Sequence, residues 1–122
     1  MNILIVDDSR TMRMIVRRTL RQANIGEHVY EEAENGAQAL AKMASFPPDL
    51  ILSDWNMPEM DGMGLLQAVR ASGNTHTRFG FVTSQSSAES RAEAAAAGAM
   101  FLITKPFSPE DIEAVLKPLL GV

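Results

Sequence analysis

Four short apolar runs in this chain each end at polar side chains that phosphate chemistry can use. If the runs are parallel strands of one sheet, their carboxyl ends lie along one edge, where open α/β sheets bind ligands. Three carboxylates, a hydroxyl and an ammonium would meet at that edge, a set suited to a hard cation and a phosphoryl group. The polar residues are Asp7 and Asp8 after residues 3–6, Asp54 after 50–53, Thr83 after 81–82 and Lys105 after 101–104.

Asp7 and Asp8 are adjacent carboxylates at the end of the first apolar run. An acid in this place can simply cap the next helix, and for a lone pair that explanation stands beside a binding role. Two neighbouring carboxylates repel each other, and a bound cation relieves the repulsion. Oxygen ligands alone favour Mg²⁺ over zinc or copper.

Asp54 ends the third run, where burial would make an unpaired charge costly. A metal ion or a lysine would compensate that charge. Asp54 could also cap a helix, but the next helical pattern begins several residues later, beyond Pro58. Asp61 suits the capping role better.

Thr83 and Lys105 complete the set. Threonine is common at strand ends, so Thr83 alone predicts little. Lys105 stands between an apolar run and Pro106, which biases its backbone towards an extended conformation. The bond between Lys105 and Pro106 is of the type that can be cis, and a cis bond would fix the direction of the ammonium group.

The rest of the chain alternates between strand and helix patterns. The second strand is the most polar, which places it near a sheet edge. Helical spacing of apolar residues marks the helices, as at Ile15 and Val16 in the first and at Ala37, Leu40 and Ala44, expected inward, in the second. The predicted strands are 2–6, 28–33, 50–53, 79–83 and 100–104, and the predicted helices are 9–23, 36–44, 63–71, 87–97 and 109–120.

This alternation predicts the fold class. Strands that alternate with helices form a parallel sheet covered on both faces. A closed barrel needs eight such units, so five indicate an open sheet. We therefore expect an α/β fold, a (βα)5 doubly wound open parallel sheet, in a single domain over residues 1–122.

Composition limits the class of protein. Hydrophobic residues make up 46% of the 122 and charged residues 21%, which is ordinary for a globular domain. The net charge of -4 argues against nucleic-acid binding, and the lack of cysteine excludes disulfides and thiolate metal sites. No apolar run suits a signal peptide or a membrane span, so we expect a soluble cytoplasmic protein without membrane insertion.

The five polar residues and the segments around them resemble the receiver domain of two-component response regulators, over essentially the whole chain. The segment SDWNMP at 53–58, with MDG at 60–62, is similar to the family's phosphorylation-site segment. TMR at 11–13, AGA at 97–99 and KPF at 105–107 fit the family pattern in the same order. Within the family, the resemblance is greatest to the stand-alone receivers of chemotaxis.

The resemblance implies a role for each polar residue. Asp54 would accept a phosphoryl group from a histidine kinase. Mg²⁺ would be held by Asp7, Asp8, Asp54 and the backbone carbonyl of Asn56. Lys105 would pair with the phosphoryl oxygens.

Thr83 would hydrogen-bond to the phosphoryl group and move with its loop. The resemblance further implies a flavodoxin-like sheet with strand order 2-1-3-4-5 and a monomer. The protein would be a signalling module, not an enzyme, with only weak self-catalysed phosphotransfer and dephosphorylation. It would bind a downstream protein partner, the flagellar motor switch being favoured and a phosphate sink or phosphorelay intermediate being the alternative.

Two other functions on this architecture are disfavoured. A phosphatase of the haloacid-dehalogenase type has Asp-x-Asp after its first strand, which Asp7-Asp8-Ser9 does not match. A flavin carrier needs a loop rich in Ser, Thr and Gly after that strand. The two aspartates would instead repel a phosphate.

The chain departs from the family pattern at two places. Many receivers have Tyr or Phe three residues before the lysine, where this chain has Leu102, and its aromatic residue is Phe101. One place along a strand is the opposite face, so we expect the output surface to differ. Gln85, two residues after Thr83, replaces a glutamate of the chemotaxis receivers.

The first predicted helix contains five arginines. Such a run is usually a solvated face, and in receivers this helix helps to dock the kinase, so both interpretations stay open. The residues are Arg10, Arg13, Arg17, Arg18 and Arg21.

Overall fold

Every predicted strand and helix is present in the computed structural model of the protein, which describes residues 1–121. No helix within that range has the length and hydropathy needed to cross a bilayer. The strands are β1 (Asn2–Val6), β2 (Val29–Ala33), β3 (Leu50–Ser53), β4 (Arg78–Thr83) and β5 (Phe101–Thr104). The helices are α1 (Arg10–Gln22), α2 (Gly36–Met43), α3 (Gly62–Ala71), α4 (Ala88–Ala97) and α5 (Pro109–Leu120).

The five strands form one parallel sheet in the order β2-β1-β3-β4-β5, which confirms the expected fold and strand order. The polar strand β2 lies at one edge, as predicted. In the register of the sheet, Val6 pairs with Ser53 of β3. Asp7 and Asp54, which follow these two residues, therefore leave the sheet side by side.

Side chains of the central strands alternate between two apolar layers. Ile3 and Ile5 of β1 pack in a layer with residues of α1 and α5, whereas Leu4 and Val6 pack in a layer with residues of α2, α3 and α4. All four are buried. The sheet is thus covered on both faces, and its carboxyl edge is left for the polar residues.

Each helix begins at a polar side chain that accepts a hydrogen bond from the first turn. Asp61 accepts from the Gly64 amide, which confirms Asp61 as the cap of α3 and leaves Asp54 free of that role. Ser9 caps α1 and Ser108 forms a full capping box in α5. The site residues are therefore not the ones that start the helices.

The inward face of α2 differs from the prediction. Ala37 and Ala44 are exposed, and Ala39 is fully buried instead. The Gly36 amide donates to the Met60 carbonyl, and a side chain at Gly36 would collide with Met60. This contact fixes the rotation of the helix, and spacing within a short alanine-rich segment could not reveal it.

Candidate functional site

Three carboxylates meet at the carboxyl edge of the sheet. Oxygen atoms of Asp7, Asp8 and Asp54 all lie within 4.8 Å of one another. Asp7 is buried, Asp54 is half-buried and Asp8 is exposed. Since all the side-chain ligands are oxygens, the cluster suits a hard divalent cation such as Mg²⁺ and not a softer metal.

Lys105 lies between two of these carboxylates. Its Nζ is 3.0 Å from Asp7 Oδ2 and 3.3 Å from Asp54 Oδ2. Its side chain is only 16% exposed, and the Lys105–Pro106 bond is cis. One ammonium thus offsets part of the charge of two acids.

Backbone amides orient the remaining carboxylate oxygens. The Ser9 amide donates to Asp7 Oδ1 at 2.9 Å, and the Trp55 amide donates to Asp54 Oδ1 at 2.7 Å. The Asp54 amide in turn donates to the Val6 carbonyl. Each carboxylate thus has one oxygen oriented by an amide of its own loop, while Lys105 pairs with the other oxygen of both.

Thr83 ends β4, and Asn56 follows the end of β3 by three residues, both at the carboxyl edge of the sheet. Thr83 is fully buried at the end of β4, and its Oγ accepts from the Gln85 amide at 3.2 Å. Its carbonyl accepts from the Lys105 amide, which joins the ends of β4 and β5. Asn56 is exposed two residues after Asp54. Its carbonyl as a metal ligand and the phosphoryl contact of Thr83 stay predictions.

Close packing lies directly beneath Asp54. The ring of Trp55 stacks on Phe81, with centroids 4.7 Å apart. A Cβ at Gly62 would collide with the Asp54 carbonyl and the Phe81 ring. The motif 60–62 therefore needs its glycine for close approach, a requirement that the sequence alone does not reveal.

Arg13 is buried, contrary to the expectation that the arginines of α1 form a solvated or docking face. Only 8% of its surface is exposed. Its Nη1 donates to the Asp7 carbonyl at 2.7 Å, and its Nε donates to Glu32 Oε1 at 3.0 Å. Arg17 also turns to Glu32, whereas Arg10 and Arg18 are exposed.

Phe101 and Leu102 point to opposite layers, as predicted. Phe101 packs against the α1–α5 layer and lies over Gly80, where a Cβ would collide with its ring. Leu102 packs against the other layer. Arg91 of α4 donates to the Leu102 carbonyl and to Thr104 Oγ, so an arginine joins α4 to β5 here.

Known proteins resemble the chain over nearly its full length. A family described as the response regulator receiver domain matches residues 3–117. A probable chemotaxis protein CheY of Rhizobium etli is 38% identical over 98% of this chain and 92% of its own. Chemotaxis protein CheY1 of Helicobacter pylori is 36% identical over 99% of this chain and 98% of its own. The structure of chemotaxis protein CheY4 of Vibrio cholerae has a TM-score of 0.85 at 37% identity and covers 98% of each chain.

Proposed function

Since the chain belongs to the response regulator receiver family, we propose that it is a phosphorylation-switched signalling protein whose phosphoacceptor is Asp54. The observation that supports this most is the position of Lys105 Nζ, within 3.3 Å of carboxylate oxygens of both Asp7 and Asp54. A nucleophilic carboxylate, a cation beside it and two further acids together form a site for phosphoryl transfer.

Asp7, Asp8 and Asp54, with the carbonyl of Asn56, are the proposed ligands of Mg²⁺. The fit rests on the all-oxygen donor set and on the 4.8 Å limit within which the three carboxylates approach one another. When bound, Mg²⁺ neutralises charge on the phosphoryl oxygens. The exposed Asp8 leaves this side of the cluster open to solvent and to a phosphodonor.

In the proposed reaction, an Asp54 carboxylate oxygen attacks the phosphorus of a phosphohistidine on a kinase. An O–P bond forms, and the P–N bond breaks with its electron pair returning to the imidazole ring. Lys105 stays beside the acceptor and pairs with the phosphoryl oxygens. These residues would act by positioning the reacting groups and neutralising charge. In this proposal self-catalysis is weak, and hydrolysis of the acyl phosphate by water resets the protein.

Thr83 is the proposed sensor of the phosphoryl group. Its Oγ accepts from the Gln85 amide, so the hydroxyl proton is available to donate. A phosphoryl oxygen would accept a hydrogen bond from that hydroxyl and shift Thr83 towards the site. The hydrogen bond from the Lys105 amide to the Thr83 carbonyl would then couple this shift to the end of β5.

We propose a partner-binding output in chemotaxis, since proteins named for chemotaxis cover nearly the whole chain. The protein would act as a cytoplasmic, single-domain monomer, with a histidine kinase as donor and the flagellar motor switch as target. The alternative, a phosphate sink or phosphorelay intermediate, is favoured by Leu102, since the family's aromatic residue is displaced to Phe101 on the opposite layer.

Trp55 fluorescence tests the proposal, because its amide bonds to Asp54 and its ring reports the packing beneath. We expect one change on titration with Mg²⁺ and a second when acetyl phosphate or beryllofluoride follows. In Asp54→Asn the second change should vanish entirely. Mass spectrometry of the acetyl phosphate sample should find one added phosphoryl group only when Asp54 is present.

Asp49→Asn is the matched control, since Asp49 lies at the opposite end of the sheet, where it accepts from the Asn2 amide. This variant should keep both fluorescence changes. A wild-type protein that responds to Mg²⁺ but takes up no phosphoryl group would contradict the proposed acceptor role. A protein that responds to neither would overturn the metal site as well.

A further inference from the structure

Arg13 lies in a place that helix formation does not explain. It lies just beyond the first turn of α1, where neither the N-cap nor the helix dipole stabilises a positive charge. It is nevertheless 8% exposed, and burial of an unpaired charge is costly. Only its partners can compensate, and these are the Glu32 carboxylate on β2 and the backbone carbonyl of Asp7.

The carbonyl that Arg13 holds belongs to the peptide unit between Asp7 and Asp8. A peptide unit is planar, so a bond to its oxygen also fixes the direction of the next Cα. Asp8 depends on this backbone, since within residues 1–121 its carboxylate makes no hydrogen bond or ion pair. The carboxylate of Asp7, by contrast, has Ser9 and Lys105 to orient it.

We infer that Arg13 is a positioning residue for the cation site, acting through the Asp7–Asp8 peptide and not through contact with the ion. This inference rests on the proposed function of the acidic cluster. Glu32 accepts from Arg13 at Oε1 and from Arg17 at Oε2, so it anchors the guanidinium and balances its charge. Residues that hydrogen-bond to metal ligands fix the geometry of those ligands. Mutation of such a residue typically lowers metal affinity by roughly 10- to 100-fold.

Arg17 provides a matched control one helical turn along. It binds the same Glu32, at 2.8 Å, but its other donor goes to the Tyr30 carbonyl and not to Asp7. Arg17→Met therefore removes an arginine from the same carboxylate and leaves the Asp7–Asp8 peptide held. The two variants separate positioning of the metal ligands from general damage to α1 and β2.

The experiment measures the Mg²⁺ dissociation constant by Trp55 fluorescence, with the Mg²⁺-induced rise in Tm as a second readout. We expect Arg13→Met to weaken Mg²⁺ binding about tenfold, whereas Arg17→Met stays within about twofold of wild type. At saturating Mg²⁺, phosphorylation of Arg13→Met by acetyl phosphate should return to the wild-type rate, because only the metal ligands were displaced. Equal losses in both variants, or no loss in Arg13→Met, would overturn the inference.

Arg13→Lys keeps the test decisive if Arg13→Met does not fold. A lysine keeps the positive charge and can pair with Glu32. Its single ammonium cannot reproduce the geometry by which the guanidinium donates to both Glu32 and the Asp7 carbonyl. We expect Mg²⁺ binding intermediate between wild type and Arg13→Met, and an unchanged dissociation constant would overturn the inference. Wild-type protein that binds no Mg²⁺ would instead overturn the proposed function, and this inference with it.

Discussion

The two ends of the sheet use cationic side chains in opposite ways. At the amino end, Arg70 donates to three backbone carbonyls, those of Asn74, Thr77 and Gly98, and so joins the loops before β4 and β5. At the carboxyl end, Lys105 pairs with two carboxylates of a cluster of three. One end matches neutral acceptors with a cation, and the other concentrates negative charge.

This difference indicates that the two ends of the sheet have different roles, one in the stability of the fold and the other in binding. At the amino end the loops close on themselves, and Thr77, 2% exposed, is also bonded to Asn74 and to the Pro48 carbonyl. At the carboxyl end, one ammonium pairs with only two of the three acids, so negative charge remains to attract an external cation. The amino end should therefore determine how stable the fold is, and the carboxyl end what it binds.

Arg70→Ala should show the largest effect on stability. It leaves three carbonyls in two loops without their donor, so we expect a loss of roughly 1–3 kcal/mol in the free energy of unfolding. Urea unfolding followed by circular dichroism measures this loss. The Mg²⁺ dissociation constant should stay at the wild-type value, and a parallel loss of Mg²⁺ binding would contradict the separation of the two ends.

Asp8→Asn should show the reverse behaviour at the carboxyl end. Removing one of three like charges relieves repulsion, so we expect Tm without Mg²⁺ to rise by roughly 2 °C. The variant should also lose most of the Mg²⁺-induced rise in Tm, because a ligand is gone. A thermal melt with and without Mg²⁺ measures both effects.

Asp49→Asn serves as its counterpart at the amino end. Asp49 accepts from the Asn2 amide at 2.7 Å, so its neutralisation weakens a charge-assisted hydrogen bond. Its Tm should fall, and its Mg²⁺ response should stay intact. If Asp8→Asn lowered Tm without Mg²⁺ as Asp49→Asn does, the carboxyl end would not be repulsive.

The sequence was sufficient to predict most of the fold and the proximity of Asp7, Asp8, Asp54 and Lys105 at one edge of the sheet. Apolar runs predicted four of the five strands to within one residue, since buried parallel strands are nearly continuous in hydrophobicity. The more polar β2 was predicted as closely from its place in the alternation of strands and helices. The position of Lys105 was predictable because a lysine before proline, after such a run, has little access to solvent. Both predictions rest on residues that are neighbours in the chain, so they do not require knowledge of tertiary contacts.

The contacts that the sequence did not predict are tertiary. Arg13 looks like any other arginine of α1, and only the sheet register places the Asp7 carbonyl and Glu32 within its reach. The rotation of α2 depends on Met60, which is distant in the chain. The partners of long polar side chains and the rotation of short helices depend on contacts between segments distant in the chain, so periodicity alone could not identify them.

The smallest expected effect on stability concerns Tyr30, which lies on the edge strand β2 and not in the acidic cluster. Burial raises the pKa of the Tyr30 hydroxyl above its ordinary 10.0, although Arg21 and Arg17 lower it in part. In the unfolded chain this hydroxyl ionises at the lower value, so between the two values the folded state binds more protons. The part of the stability that is linked to Tyr30 is therefore fully present below about pH 10, and it is lost as pH rises through the pKa of Tyr30 in the folded state.

Absorbance of the phenolate measures this titration directly, because Tyr30 is the single tyrosine of the chain. The two guanidinium carbons lie 5.8 and 5.9 Å from the ring centroid, so Arg21→Met should raise the pKa of Tyr30 further. Tyr30→Phe should remove this part of the alkaline loss of stability and leave Mg²⁺ binding unchanged. An alkaline titration that ran the same in Tyr30→Phe would mean that another group governs stability there, and an altered Mg²⁺ affinity would show that the edge strand and the acidic cluster are coupled.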